Sequence, residues 1–209
     1  SYRVSGATPL TPAVPNYSRG LFTKTKDIEQ AHLALAFPGI PINSPRLYDM
    51  TLLNTILGNG MSSVLFQKIR EELGLAYSVY THYSSYTDTG LFSIYAGVSP
   101  ENLSFTYEAV VKELEAVNAG NITAAHVAKA KEQLKSSLLL SLESSSSRMM
   151  RMGRSLLVLG RIHTSDEIIE KIDNVTHENV LSMANEILRL SDMSVAVVGG
   201  KDMPQLKLL

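Results

Sequence analysis

The order of apolar patterns predicts an α+β fold, a mainly antiparallel sheet packed with helices. Three observations carry that expectation. Stretches that alternate with period two come early, over residues 30–37, 76–86 and 90–99. Helical periodicity dominates from 99 to 189. A β-branched apolar run, Met193 to Val198, then returns and is stopped by Gly199-Gly200.

Each element has a local reason. In the first strand Ala31, Leu33, Leu35 and Phe37 share one face, and Pro38, Gly39 and Pro41 end it. Ser44 as N-cap and Pro45 at the first helical position open a helix to about Leu57. Gly58-Asn59-Gly60 breaks it. A second helix runs from Ser62 to Leu73, with Leu65, Phe66, Ile69 and Leu73 as its apolar face. Gly74 suits the left-handed position just past its end. Two strands follow as a hairpin around Thr87-Asp88-Thr89-Gly90, with Phe92, Ile94, Ala96 and Val98 toward the core. Ser99-Pro100 starts a helix that Gly120-Asn121 ends. Thr123 caps a long helix through Glu143, and the serines at 144–147 mark a capped restart for a helix to Leu159. Thr164 with Glu167 forms a capping box, and Thr176 opens the last helix.

Composition narrows the function. Basic and acidic side chains nearly balance, at 19 against 20, so no basic surface invites nucleic acid. Cysteine is absent, which removes disulfides and thiolate-bound metals. No apolar run reaches the length that crosses a bilayer. The chain starts at Ser1, and Gly6, Pro9, Pro12, Pro15 and Gly20 give its opening the character of a connector. The expected organisation is a linker over 1–20 from a missing N-terminal half, one domain over 21–200, and a tail over 201–209.

Motifs for chemistry are mostly missing. Five histidines are present, His32, His82, His126, His163 and His177, and none pairs with a second ligand at HExxH or HxxEH spacing. Each therefore reads as a structural or surface residue, and no metal site is expected on this chain. No GxSxG elbow occurs. Gly58-Asn59-Gly60-Met61 follows a helix and lacks the Lys-Ser/Thr of a phosphate loop. Arg148, Arg151, Arg154 and Arg161 read as a solvated helix face.

The informative segment is Arg70-Glu71-Glu72-Leu73-Gly74-Leu75-Ala76-Tyr77. A helix ends, a glycine reverses the chain, and a strand begins. The reversal lets a permanently charged guanidinium and a phenol converge, donors suited to peptide carbonyls or a developing oxyanion. On spacing alone, an Arg70 ion pair and a packed Tyr77 explain the same residues.

From Leu57 through Arg70 to Ser78, the sequence closely resembles the C-terminal half of the pitrilysin, insulin-degrading enzyme and mitochondrial processing peptidase family. Gln30-Ala31-His32, Asp88-Thr89-Gly90-Leu91-Phe92 and Ile122-Thr123 agree with it. The resemblance covers about residues 15–200 and is nearest the processing-peptidase branch and its bacterial relatives. It implies one half of a clam-like architecture shared with LuxS-like metallohydrolases. It also implies that zinc, HxxEH and a distant glutamate ligand belong to an N-terminal half. Arg70 and Tyr77 match the R-E-x-x-G-x-x-Y pattern and are thereby implied as substrate-binding residues, with Tyr77 also supporting the transition state. One departure is His126, where relatives often carry glutamate.

The implied function is the substrate-binding half of a zinc metalloendopeptidase acting on peptides or unfolded segments, inactive alone. Its implied partners are the N-terminal catalytic half, a second full-length chain in a homodimer or heterodimer, and a peptide substrate, with no nucleic acid and no membrane. The implied setting is bacterial cytoplasm, or else the mitochondrial matrix. A catalytically silent core subunit of the same family and an unrelated peptide-binding module are the alternatives. An intact HxxEH upstream distinguishes the first from both.

Overall fold

The computed structural model describes residues 15–208. The start of the expected linker, with Gly6, Pro9 and Pro12, lies outside the described residues. Five strands form one sheet: β1 (Leu21–Thr25), β2 (Ala31–Gly39), β3 (Ala76–Ser85), β4 (Gly90–Val98) and β5 (Ser194–Gly199). Their spatial order is β1-β5-β2-β4-β3. Pairings β2–β4, β2–β5 and β3–β4 are antiparallel, and β1–β5 is parallel. The sheet is therefore mixed but mainly antiparallel, as the sequence predicts.

Helices α1 (Leu47–Gly58), α2 (Leu103–Ala116), α3 (Ala124–Ser141), α4 (Ser145–Leu159), α5 (Ser165–Asp173) and α6 (His177–Ile187) supply the other layer. The core lies between that layer and one sheet face. Leu33, Leu35, Phe37, Phe92, Ile94 and Val98 meet Met50, Leu53, Leu57, Val110 and Met183 there, all essentially inaccessible. Helix α1 packs against β3, α3 and α6 and sits at the centre of that layer.

Several boundaries moved for identifiable reasons. Strand β2 continues through Pro38 and Gly39 instead of stopping before them. Its pairing with β5 ends at Ala36, so Pro38 stands where one side of the strand is open and no N–H is needed. The Ser44 hydroxyl accepts from the Arg46 N–H at 3.2 Å, and α1 starts only at Leu47. Ser44 thus caps a turn ahead of the helix. The second helix is π-helical over Phe66–Glu72, and Leu73 N–H bonds Lys68 O, five residues back. The helix α2 passes into a second π segment, Val117–Asn121, that Gly120 closes at φ 96°.

Candidate functional site

The Arg70–Tyr77 reversal is built from three local devices. The π segment carries Arg70 near its end, with buried Ile69 anchoring it to the core. Gly74 then adopts φ 62°, the left-handed conformation that reverses the chain. Leu75 N–H bonds Ile69 O at 2.9 Å and closes the turn. The third device is a bulge. In the β3–β4 register Ala76 faces Val98 and Ser78 faces Gly97, which leaves Tyr77 as an extra residue. Ala76 and Val79 are buried, so two consecutive residues, Tyr77 and Ser78, lie between core-facing positions. The bulge therefore turns Tyr77 out of the core, and its side chain is 58% exposed.

Arg70 is 45% exposed, with its guanidinium 5.0 Å from the Phe66 ring centroid and 3.9 Å from a Glu71 carboxylate oxygen. Arg70 and Tyr77 both face solvent, and no hydrogen bond joins them. A cavity of about 660 Å³ lies elsewhere, lined by Tyr48, His163, Lys171 and Asn179 among others.

The sheet face opposite the helices is open. Its rows follow from the register. Phe22, Ala196, Ala34, Tyr95 and Tyr80 form one row across all five strands. Lys24, Val198, His32, Gly97 and Ser78 form the next. Ser194, Ala36, Ser93 and His82 form a third. His32, Ala34 and Ala36 alternate with the core-facing Ala31, Leu33, Leu35 and Phe37 and so share the other face of β2. The cross-strand pairing that assembles it with Tyr80 and Tyr95 is not visible from local periodicity.

Among the described residues no three His, Asp or Glu side chains gather where they could hold a metal ion. The histidines have structural contacts instead. His177 Nε2 lies 2.6 Å from Ile122 O. His126 completes a capping box, its Nδ1 accepting from Thr123 N–H at 3.2 Å. His163 lies beside Glu167, and His32 Nδ1 is 2.6 Å from the Tyr95 hydroxyl. His82 Nε2 is 3.3 Å from the Ser84 hydroxyl. The described residues therefore do not fit a zinc ion. Of the arginine cluster, Arg161 pairs with Glu167. Arg151 departs from a solvated stripe: its Nη2 donates to Ser165 at 3.4 Å, while Nε and Nη1 are buried.

The described residues form an α+β domain with helices on one sheet face and an open second face. The chain belongs to the family described as Peptidase M16 inactive domain, whose profile matches residues 6–134. It is 41% identical over 199 residues to a Bacillus subtilis protein described as an uncharacterized zinc protease, covering 95% of this chain and 48% of that protein. A Streptomyces coelicolor relative with the same description is 39% identical over 82% of this chain and 37% of its own length. The chain thus spans about half, or less, of these relatives. Its fold matches the crystal structure of a peptidase M16 inactive domain from Pseudomonas fluorescens, with TM-score 0.79 and 24% identity over 93% of this chain and 46% of that one. None of the helices among the described residues is long and apolar enough to cross a membrane.

Proposed function

We propose that this chain is the C-terminal, substrate-binding half of a zinc metalloendopeptidase acting on peptides or unfolded segments. The observation that carries the reading is the reversal itself: Arg70 and Tyr77, at the spacing of the R-E-x-x-G-x-x-Y pattern, both stand free of the core across a left-handed glycine. Zinc enters as a property of the N-terminal half. The present residues bind and orient the peptide. Arg70 donates its guanidinium N–H groups to substrate carbonyls, and the Tyr77 hydroxyl donates to the oxygen on which charge develops. A bacterial cytoplasmic setting, with the mitochondrial matrix as the alternative, and pairing of full-length chains as a homodimer or heterodimer complete the reading. The catalytically silent alternative gives these two side chains no chemical use.

The test is Tyr77→Phe in the full-length protein. Loss of an oxyanion donor lowers kcat by about 10²–10³. The exposed position predicts an unchanged melting temperature. Wild-type turnover in that variant overturns the role assigned to Tyr77.

A further inference from the structure

The open sheet face carries a row of small residues between aromatic ones that the Arg70–Tyr77 reading does not use. Its floor is small: Ala34 and Ala196 are neighbours on β2 and β5. On one side stands Phe22, on β1, 62% exposed. On the other stand Tyr95 and Tyr80, stacked with ring centroids 4.9 Å apart and planes 30° from parallel. At one end the Tyr17 hydroxyl donates to Ala36 O at 2.8 Å and shares a second hydrogen bond, also 2.8 Å, with the Ser194 hydroxyl, and so borders the floor. Strand spacing makes the opening between the aromatic sides about 14 Å, from three steps of about 4.8 Å.

The aromatic side is pre-set. Tyr95 crosses Gly97, where an added Cβ would lie 2.9 Å from Ser78 Oγ and 3.3 Å from Tyr95 Oη. The absent side chain therefore leaves space for the ring to lie across the sheet. The Tyr95 hydroxyl is held by His32 Nδ1 at 2.6 Å and hydrogen-bonds the Ser78 hydroxyl. Burial, then the neighbouring Tyr80, raises its pKa, so the phenol stays neutral. The three rows around this floor carry Lys24 and two histidines but no Asp or Glu. That charge balance repels a cationic side chain and accepts a neutral one.

We infer that the surface over Ala34 and Ala196 is a specificity subsite for an aromatic or large aliphatic side chain of a bound peptide. This rests on the peptide-binding reading above and names its substrate class. Ala34 lies two strands over from β3 and three residues along from the Tyr77 bulge, a path of about 14 Å. That is about four residues of extended peptide, so the subsite selects a residue at that distance from the scissile bond.

The experiment uses the full-length protein and quenched peptides varied at that distance among Phe, Leu, Ala and Lys. Phe and Leu peptides are expected to exceed the Ala peptide by about three- to tenfold in kcat/KM, mostly through KM, the range of one aromatic contact. Lys is expected to do no better than Ala. Ala34→Leu fills the floor from the solvent side, and Tyr80→Ala removes one stacked ring. Each is expected to bring the Phe/Ala ratio close to one. A Phe/Ala ratio unchanged in Ala34→Leu, or a preference for Lys, overturns the subsite. The same peptides carrying fluorescein report binding by anisotropy, independently of cleavage. If no peptide is cleaved, the endopeptidase reading fails, yet a Phe-over-Ala affinity abolished by Ala34→Leu still supports the subsite. Equal affinities overturn it.

Discussion

Arg46 binds two helices through one guanidinium. Its Nε donates to Asp49 at 3.1 Å, its Nη2 to Ser182 at 3.3 Å, and its Nη1 to Glu186. The first contact is inside α1's opening turn, and the others reach α6. Asp49 is only 8% exposed, so the loss of Arg46 strands a mostly buried carboxylate. Arg46→Met is expected to destabilise the fold by about 1–3 kcal/mol, a range kept low because the guanidinium is partly solvated. Urea unfolding measures it, and the double change with Asp49→Asn is expected to recover part of the loss. His163 makes a second prediction. Burial foremost, then the positive charges of Lys171 and Arg161, hold its pKa below the ordinary 6.5. Between the depressed value and 6.5 the unfolded chain binds more protons, so stability falls as pH drops through that window. The melting temperature is expected to decline below about pH 6.5, and His163→Gln to flatten that part of the profile. The reach of Arg46 to Ser182 and Glu186 was not legible in advance, because it comes from the packing of α6 against α1 and not from local spacing.

At the scale of elements, starts were legible and interiors less so. Thr164, Thr176 and Thr123 each accept from the third backbone N–H of their helices, and Ser144 does the same for α4. Those caps are written in four consecutive residues, which is why the sequence announces them. Thr164→Ala is expected to cost about 1 kcal/mol, the usual worth of an N-cap, read by thermal unfolding. His126 shows the same logic from the other side: a departure from the family's glutamate still supplies the acceptor for the box. The π segment was not legible, since buried Leu65 and Ile69 at a spacing of four fit an α-helix equally well. Strand β1 was missed for a different reason. All five residues from Leu21 to Thr25 are exposed, so no buried face imposes alternation, and pairing with β5 makes the strand. Gly74→Ala tests the reversal. Nothing lies near the added Cβ, so the cost is conformational alone, about 1–2 kcal/mol for the left-handed backbone.

At the scale of the whole molecule, the two sheet faces divide the labour. The core face was readable residue by residue, and the open face became readable only through register. Helix α4 combines both problems. The sequence shows its arginine spacing, whereas the structure leaves Met149, Met150, Leu156 and Leu157 exposed beside it. Metal analysis of the purified chain is expected to find well under one zinc per molecule, and a stoichiometric content would contradict the ligand geometry described above. The first and last strands are parallel neighbours, Leu21 opposite Val195. That pairing joins residues 21 and 195, so the first strand has no neighbour in the sheet until the last is in place. Closing so long a loop is entropically expensive and comes late. Loss of β5 strips β1 of its only neighbour in the sheet, whereas loss of β1 leaves β5 bound to β2 and merely moves the open edge inward by one strand.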